Sequence, residues 1–294
     1  MPRIGAFRDD PARARYLVAY DAALATMPQT TAVSEVDTAL GTVHACTWAG
    51  DLGGPPVLLL PGITSGIPMW ADNLPALLES GRTIIAVDAL GDAGRSVQRA
   101  PMTSMDDQAR WLVEALDGLG AERVHAVGHS FGGATAAALA VREPQRIASL
   151  SLLEPVFTFA WPPPATFWWA TIATLPVPTA WREHALAALG GVDVEEVRAQ
   201  SPVGTLVAVA SETFRSALPT PRPLGDAQLA RLTMPTYVAI GGGRSLAGGR
   251  RAAARARAGI PTAEVELWPD AGHSLPMQHP AEIAERLERL WARG

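Results

Sequence analysis

"VGHSFGG", Val127 to Gly133, sets a serine between two glycines, with the apolar run "RVHAV" before it and the alanine-rich run "ATAAALAV" after it. The serine therefore stands where a buried strand turns into a helix, and Gly128-His129-Ser130-Phe131-Gly132 has the G-x-S-x-G pattern of a nucleophile elbow. Such a turn forces Ser130 into a strained backbone conformation. Side chains at the flanking positions would strike neighbouring backbone, which glycine avoids. The helix beginning after the serine leaves its first amides unpaired, and the Phe131 N–H can face a developing oxyanion. Two other readings fail. Gly128, Gly133 and Thr135 have P-loop spacing, but Ala134 stands where the phosphate-binding lysine is required. "GGGRSLAGG" superficially resembles a dinucleotide fingerprint, but Leu246 takes the third glycine position.

Working outward, "TAVSEVDTALGTVHACTWAG" reads as a hairpin around Gly41, and "PPVLLLPG" as a strand buried on both faces. Helix and strand then alternate: helix from about Met69 to Leu78, strand "TIIAVDA", helix Ser104 to Leu119, the elbow strand and helix, and strand "IASLSLLEP". Ser104 caps its helix, Asp106 and Asp107 suit the positive end of the dipole, and Met105, Ala109, Leu112, Val113 and Leu116 share a face. After Pro155 the rhythm breaks for about seventy residues, until "MPTYVAIG" restores a strand; "AEVELWP" and a closing helix from about His279 to Trp291 follow. The predicted fold class is α/β, a mostly parallel sheet with helices on both faces. Residues 1–156 and 229–294 form its core, and 157–228 an inserted helical cap rich in tryptophan and proline.

Composition narrows the chemistry. The 294 residues are 48% hydrophobic and only 18% charged, enough for a full core and too few charges for a disordered chain. A net charge of −5 argues against nucleic acid as a partner. All 24 basic residues are arginine, so lysine Schiff-base chemistry and a pyridoxal anchor are excluded. Cys46 is alone and can form neither an intrachain disulfide nor a thiolate metal cluster. No metal or cofactor is expected. The N-terminus has no apolar run fit for a signal peptide, so a cytoplasmic protein is expected. Pro155 to Trp181 carries no charge, but its six prolines rule out a membrane-spanning helix.

A serine needs a base. His125 lies within a strand, His129 belongs to the elbow, and His44, His184 and His279 fall on the hairpin, the cap and the last helix. His273, in "PDAGHSLPMQHP", follows the last strand on a loop able to reach the carboxyl edge of the sheet, where Ser130 points.

"LLLPGITSGIPMW", "AVDALGDAGRSVQ", "VGHSFGG" and "DAGHSLPMQHP" together resemble the α/β-hydrolase family, and "RYLVAYDAALATMP" with "GTVHACTWAG" is similar to its bacterial carboxylesterases. The resemblance implies a second oxyanion amide on "PGITSG", at Ile63, and the chain order nucleophile, acid, histidine, which Ser130 and His273 obey. It also implies an acid three residues after the glycine that ends the strand before last. Arg244 stands there instead. Some relatives carry the acid one strand earlier, where this chain has Glu154; Asp270 and Asp88 are the rivals, and a chain with no functional acid is the remaining alternative. Trp161, Phe167, Trp168, Trp169 and Trp181 crowd the cap. Some must form its own small core; Trp161, Trp168 and Trp169 are the candidates to line an apolar pocket over Ser130. The expected activity is hydrolysis of a small hydrophobic carboxylic ester through Ser130, His273 and Glu154, with water as second substrate. A thioesterase or lactonase using the same triad, or a ligand-binding relative that has lost the acid, are the alternatives.

Overall fold

The structure, a computed structural model, describes residues 4–293. The chain opens with β1 (Ala6–Phe7) and α1 (Asp10–Leu24), whose N-cap Asp9 accepts the Ala12 amide at 2.8 Å. Tyr16, Ala19, Tyr20 and Ala23, spaced three and four apart, bury one face of α1. The hairpin of β2 (Ala32–Thr38) and β3 (Gly41–Trp48) leads to β4 (Leu52–Leu60). A continuous helix over Met69 to Leu78 does not form. A 3₁₀ turn at Ile67–Trp70 and the short α2 (Leu74–Leu78) replace it, because Pro75 lacks an amide hydrogen and is accommodated only in the first turn of a new helix.

Next come β5 (Arg82–Val87), β6 (Val97–Gln98), α3 (Met105–Gly118), β7 (Val124–His129), α4 (Phe131–Arg142) and β8 (Ile147–Leu153). Ser104 caps α3 in a reciprocal capping box with Asp107. Between β8 and the returning strand lie α5 (Pro164–Thr174), α6 (Thr179–Gly190), α7 (Val194–Arg198), α8 (Pro202–Thr213), β9 (Phe214–Arg215) and α9 (Asp226–Leu229). The chain closes with β10 (Thr236–Gly241), α10 (Gly249–Gly259), β11 (Glu264–Trp268), α11 (Leu275–Gln278) and α12 (Pro280–Trp291).

The main sheet runs β11-β10-β8-β7-β4-β5-β3-β2, parallel from β11 to β5 and antiparallel through β3 and β2. Its central strands are buried on both faces, and the side-chain alternation sorts them into two cores. Leu58 and Leu60 of β4 pack with Leu112, Leu116 and Leu139 on one side; Val57 and Leu59 pack with Leu74, Ile283 and Leu287 on the other. The inserted helices do not stand apart from the N-terminal region. Leu206 and Ala210 of α8 pack on Tyr16 and Tyr20 of α1, and β9 pairs with β1. No helix among the described residues is long and apolar enough to cross a membrane.

His125 is the second residue of β7, fully buried, with Nδ1 2.9 Å from Ser149 Oγ and its ring against Trp291. Burial first, then Arg82 and Arg123, push its pKa down to about 4. The folded state thus prefers the neutral ring. Nothing is lost above pH 6.5, but as pH falls from there towards 4 the unfolded chain takes up a proton that the folded chain refuses, and stability falls. Denaturant unfolding should show His125→Asn to be less acid-sensitive than wild type, by about 2 kcal/mol between pH 7 and 4.5.

Candidate active site

β7 ends at His129, Ser130 follows with φ +55°, and α4 begins at Phe131. A positive φ is uncommon for a residue with a side chain, and the packing around it is correspondingly close. A Cβ on Gly128 would strike the Gly132 carbonyl, one on Gly132 would strike Leu60 O, and one on Gly133 would lie 2.8 Å from Pro155 Cβ. These contacts explain the glycines of the elbow. Gly132→Ala should cost at least about 2–4 kcal/mol in a thermal melt, against under about 0.5 for Gly53→Ala, whose added methyl group would meet nothing within 4 Å.

Ser130 Oγ lies 2.9 Å from His273 Nε2, and His273 Nδ1 lies 3.0 Å from Glu154 Oε2. A carboxylate only accepts, so Nδ1–H donates to Glu154 and Nε2 is left to accept the serine proton. The main chain of His273 is gripped from both sides. Its N–H donates to Arg244 O at 3.1 Å, and its carbonyl accepts His129 Nε2–H at 2.8 Å. Burial, with His273 adding, holds the His129 pKa down to about 3, so this second imidazole is neutral.

Glu154 follows the last residue of β8 with φ +47° and has no solvent exposure. Its Oε1 accepts Gly241 N–H and Ser245 Oγ–H, both at 2.7 Å; its Oε2 accepts Leu246 N–H at 3.1 Å and Ala247 N–H at 3.3 Å besides His273. The glycine-rich loop after β10 thus carries no acid of its own and surrounds one supplied by β8. Arg244, in the position of a possible acid, points away: Nη1 donates to Val192 O at 2.7 Å and Nη2 meets Asp193 Oδ1 at 2.9 Å. The inserted segment also reaches the histidine loop where Gly190 O accepts both the N–H and the Oγ–H of Ser274, each at 2.8 Å.

The loop after β4 lies beside the serine, since a Cβ on Gly62 would sit 3.3 Å from Ser130 Cβ. Ser65 Oγ donates to Gly62 O at 2.8 Å, Thr64 N–H to Asp92 Oδ2 at 2.6 Å, and Ile67 N–H to Asp88 Oδ1 at 2.8 Å. Among the described residues the amides of Ile63 and Phe131 have no hydrogen-bond partner. Asp92 is buried, and burial raises its pKa to about 6 against the pull of the Thr64 and Ala93 amides. Asp88 also accepts Arg95 N–H and Tyr20 Oη–H, whereas Asp270 is exposed.

Ser130, His273 and Glu154 are therefore within hydrogen-bonding reach, and Ile63 and Phe131 flank the serine in sequence or in space. The tryptophans are placed differently. Trp169 packs against Ile172, Ala173 and Ala185 in a small core of α5 and α6. Trp161 is half-exposed and meets Phe157 edge-on, with ring centroids 5.7 Å apart, and Trp168 is exposed. Sequence reasoning missed Ser245, His129 and Asp92, together with the amides of Gly241, Leu246 and Ala247.

The family model for the alpha/beta hydrolase fold matches residues 55–180. The parallel sheet, the elbow and this match give the chain an α/β-hydrolase fold. Among bacterial carboxylesterases it resembles the Bacillus subtilis protein described as uncharacterized carboxylesterase nap, 26% identical over 94% of this chain and 92% of that one, and carboxylesterase YbfK of the same organism, 27% identical over 93% and 92%. The crystal structure of naproxen esterase (carboxylesterase NP) from Bacillus subtilis superposes with a TM-score of 0.85 at 26% identity, covering 96% of this chain and 99% of that one.

Proposed function

We propose that the chain hydrolyses carboxylic esters through a triad of Ser130, His273 and Glu154. The observation that carries the reading is the continuous hydrogen-bonded line from Ser130 Oγ through the imidazole to a buried carboxylate. His273 Nε2 takes the Ser130 proton as Oγ attacks the ester carbonyl. The carbonyl oxygen becomes an oxyanion received by the Ile63 and Phe131 N–H groups, which meet charge only as it develops. Collapse expels the alcohol with the proton held by His273. Water, deprotonated by the same nitrogen, then hydrolyses the acyl-serine. Glu154 stabilises the imidazolium in both halves and fixes its tautomer. Its four other donors hold the carboxylate aimed at the imidazole without bulk water.

The carboxylesterase relatives support an ester as the substrate. An uncharged, hydrophobic ester is supported by the segment Pro155 to Trp181, which carries no charge and exposes Trp161 and Trp168. The empty acid position at Arg244 was the main support for a non-hydrolytic relative; with Glu154 within reach of His273, hydrolysis is favoured.

Ser130→Ala should abolish turnover of p-nitrophenyl butyrate while leaving circular dichroism unchanged; full activity in a folded variant would remove the serine from the mechanism. Glu154→Gln keeps size but loses the charge opposite the imidazolium, and kcat should fall about 10²–10⁴-fold, whereas wild-type turnover would place the acid elsewhere. Across a chain-length series, Trp161→Ala should shift substrate preference by about 5 to 150-fold, the loss of 1–3 kcal/mol of apolar contact. Parallel losses on every ester would assign Trp161 to the packing of the inserted segment.

A further inference from the structure

We propose, on the basis of the esterase reading, that Asp92 is a positioning residue for the oxyanion amide of Ile63. Ile63 lies between two peptide planes, and each is held from outside. Ser65 Oγ–H donates to the carbonyl of Gly62 and fixes the plane that carries the Ile63 N–H. Asp92 Oδ2 takes the Thr64 N–H at 2.6 Å and fixes the next plane, to which Thr64 Oγ1–H adds a hydrogen bond on Ile63 O at 2.6 Å.

The second plane needs such a grip. Thr64 is β-branched and has φ +67°, a region that branched side chains rarely enter and that costs about 1–3 kcal/mol. Left alone it would relax towards negative φ, turning the 63–64 peptide and loosening the Ile63 backbone from which the preceding N–H is presented. A hydrogen bond to an ionised carboxylate is about twice as strong as a neutral one. This gives a charged residue at position 92 a purpose that a neutral turn residue would serve less well. Asp92 is otherwise poorly placed: it is 4% exposed, and its Oδ1 has no partner among the described residues. The ionisable groups that face it, Asp88 of its own loop and Tyr16 of α1, offer no cation. Arg95 sends its guanidinium to Asp21.

The test measures p-nitrophenyl butyrate kinetics and inhibition by an aryl trifluoromethyl ketone, whose serine adduct carries an oxyanion. Asp92→Ala should lower kcat about 10 to 100-fold, leave KM within about threefold, and weaken the ketone by the same factor as kcat/KM. Asp92→Asn keeps an acceptor for the Thr64 amide but loses the charge, and should fall between wild type and Asp92→Ala, within about fivefold of wild type in both measurements. Thr64→Gly, which removes the backbone strain, should recover at least about fivefold of the Asp92→Ala loss. An unchanged ketone affinity in Asp92→Ala, or equal impairment of the Asn and Ala variants, would overturn the inference. If Asp92→Ala does not fold, Asp92→Asn decides alone: a more than tenfold loss of ketone affinity overturns it. Wild-type protein that neither turns over esters nor labels at Ser130 with a fluorophosphonate would instead overturn the esterase reading, and this inference with it.

Discussion

A carboxylate sealed from water must be surrounded by donors, and Glu154 imposes that requirement on three separate stretches of chain. It stands at the end of β8 in a left-handed conformation, and its oxygens draw in the end of β10, the loop after it and the histidine loop after β11. Three main-chain amides, one hydroxyl and one imidazole converge on two oxygen atoms. Such crowding needs backbone that comes close, which accounts for the small residues of "GGGRSLAGG". A Cβ on Gly241 would lie 2.8 Å from two carbonyl oxygens of the histidine loop. Glycine here permits the approach of two loops, a role separate from the turn-making glycines of the elbow.

The sheet makes this convergence possible. β4, β7, β8 and β10 are adjacent and parallel, so their carboxyl ends lie along one edge. The loop of Ile63, the elbow of Ser130 and the carboxylate of Glu154 leave three neighbouring strands in succession, and His273 arrives from the loop beyond β11. Rigid strands set these spacings, and the hydrogen bonds at the loop ends refine them to within reach of one another. The two cores on the faces of the sheet supply that rigidity, with Leu58 and Leu60 facing one and Val57 and Leu59 the other.

The elbow and the histidine were legible because they depend on local pattern: a serine between glycines at a strand-to-helix junction, and a histidine after the last strand. Glu154 was legible only as a strand-end acid in need of a partner, with the family's habits as guide. The groups that hold it were not, since an amide N–H is common to almost every residue and only the fold shows which amides converge. Asp92 was hidden for a similar reason, its partner Thr64 lying 28 residues earlier. Local misreadings had local causes. Apolar periodicity over Met69 to Leu78 outweighed Pro75, and the packing of α8 on α1 joins segments too far apart for any periodicity to relate.

The hydrogen bonds from Ser274 to Gly190 and from Arg244 to Val192 and Asp193 tie the end of α6 and the start of α7 to the two loops that meet at Glu154. Gly191, at φ +68°, sits so close that a Cβ there would lie 2.6 Å from the His273 amide nitrogen. The inserted segment is thus unlike a door hung on two hinges. At this point it is a buttress, and lifting it would pull on the imidazole it braces. Local opening of α6 and loss of order in the histidine loop should therefore form one cooperative event, coupling whatever settles on the inserted helices to the aim of the ring below.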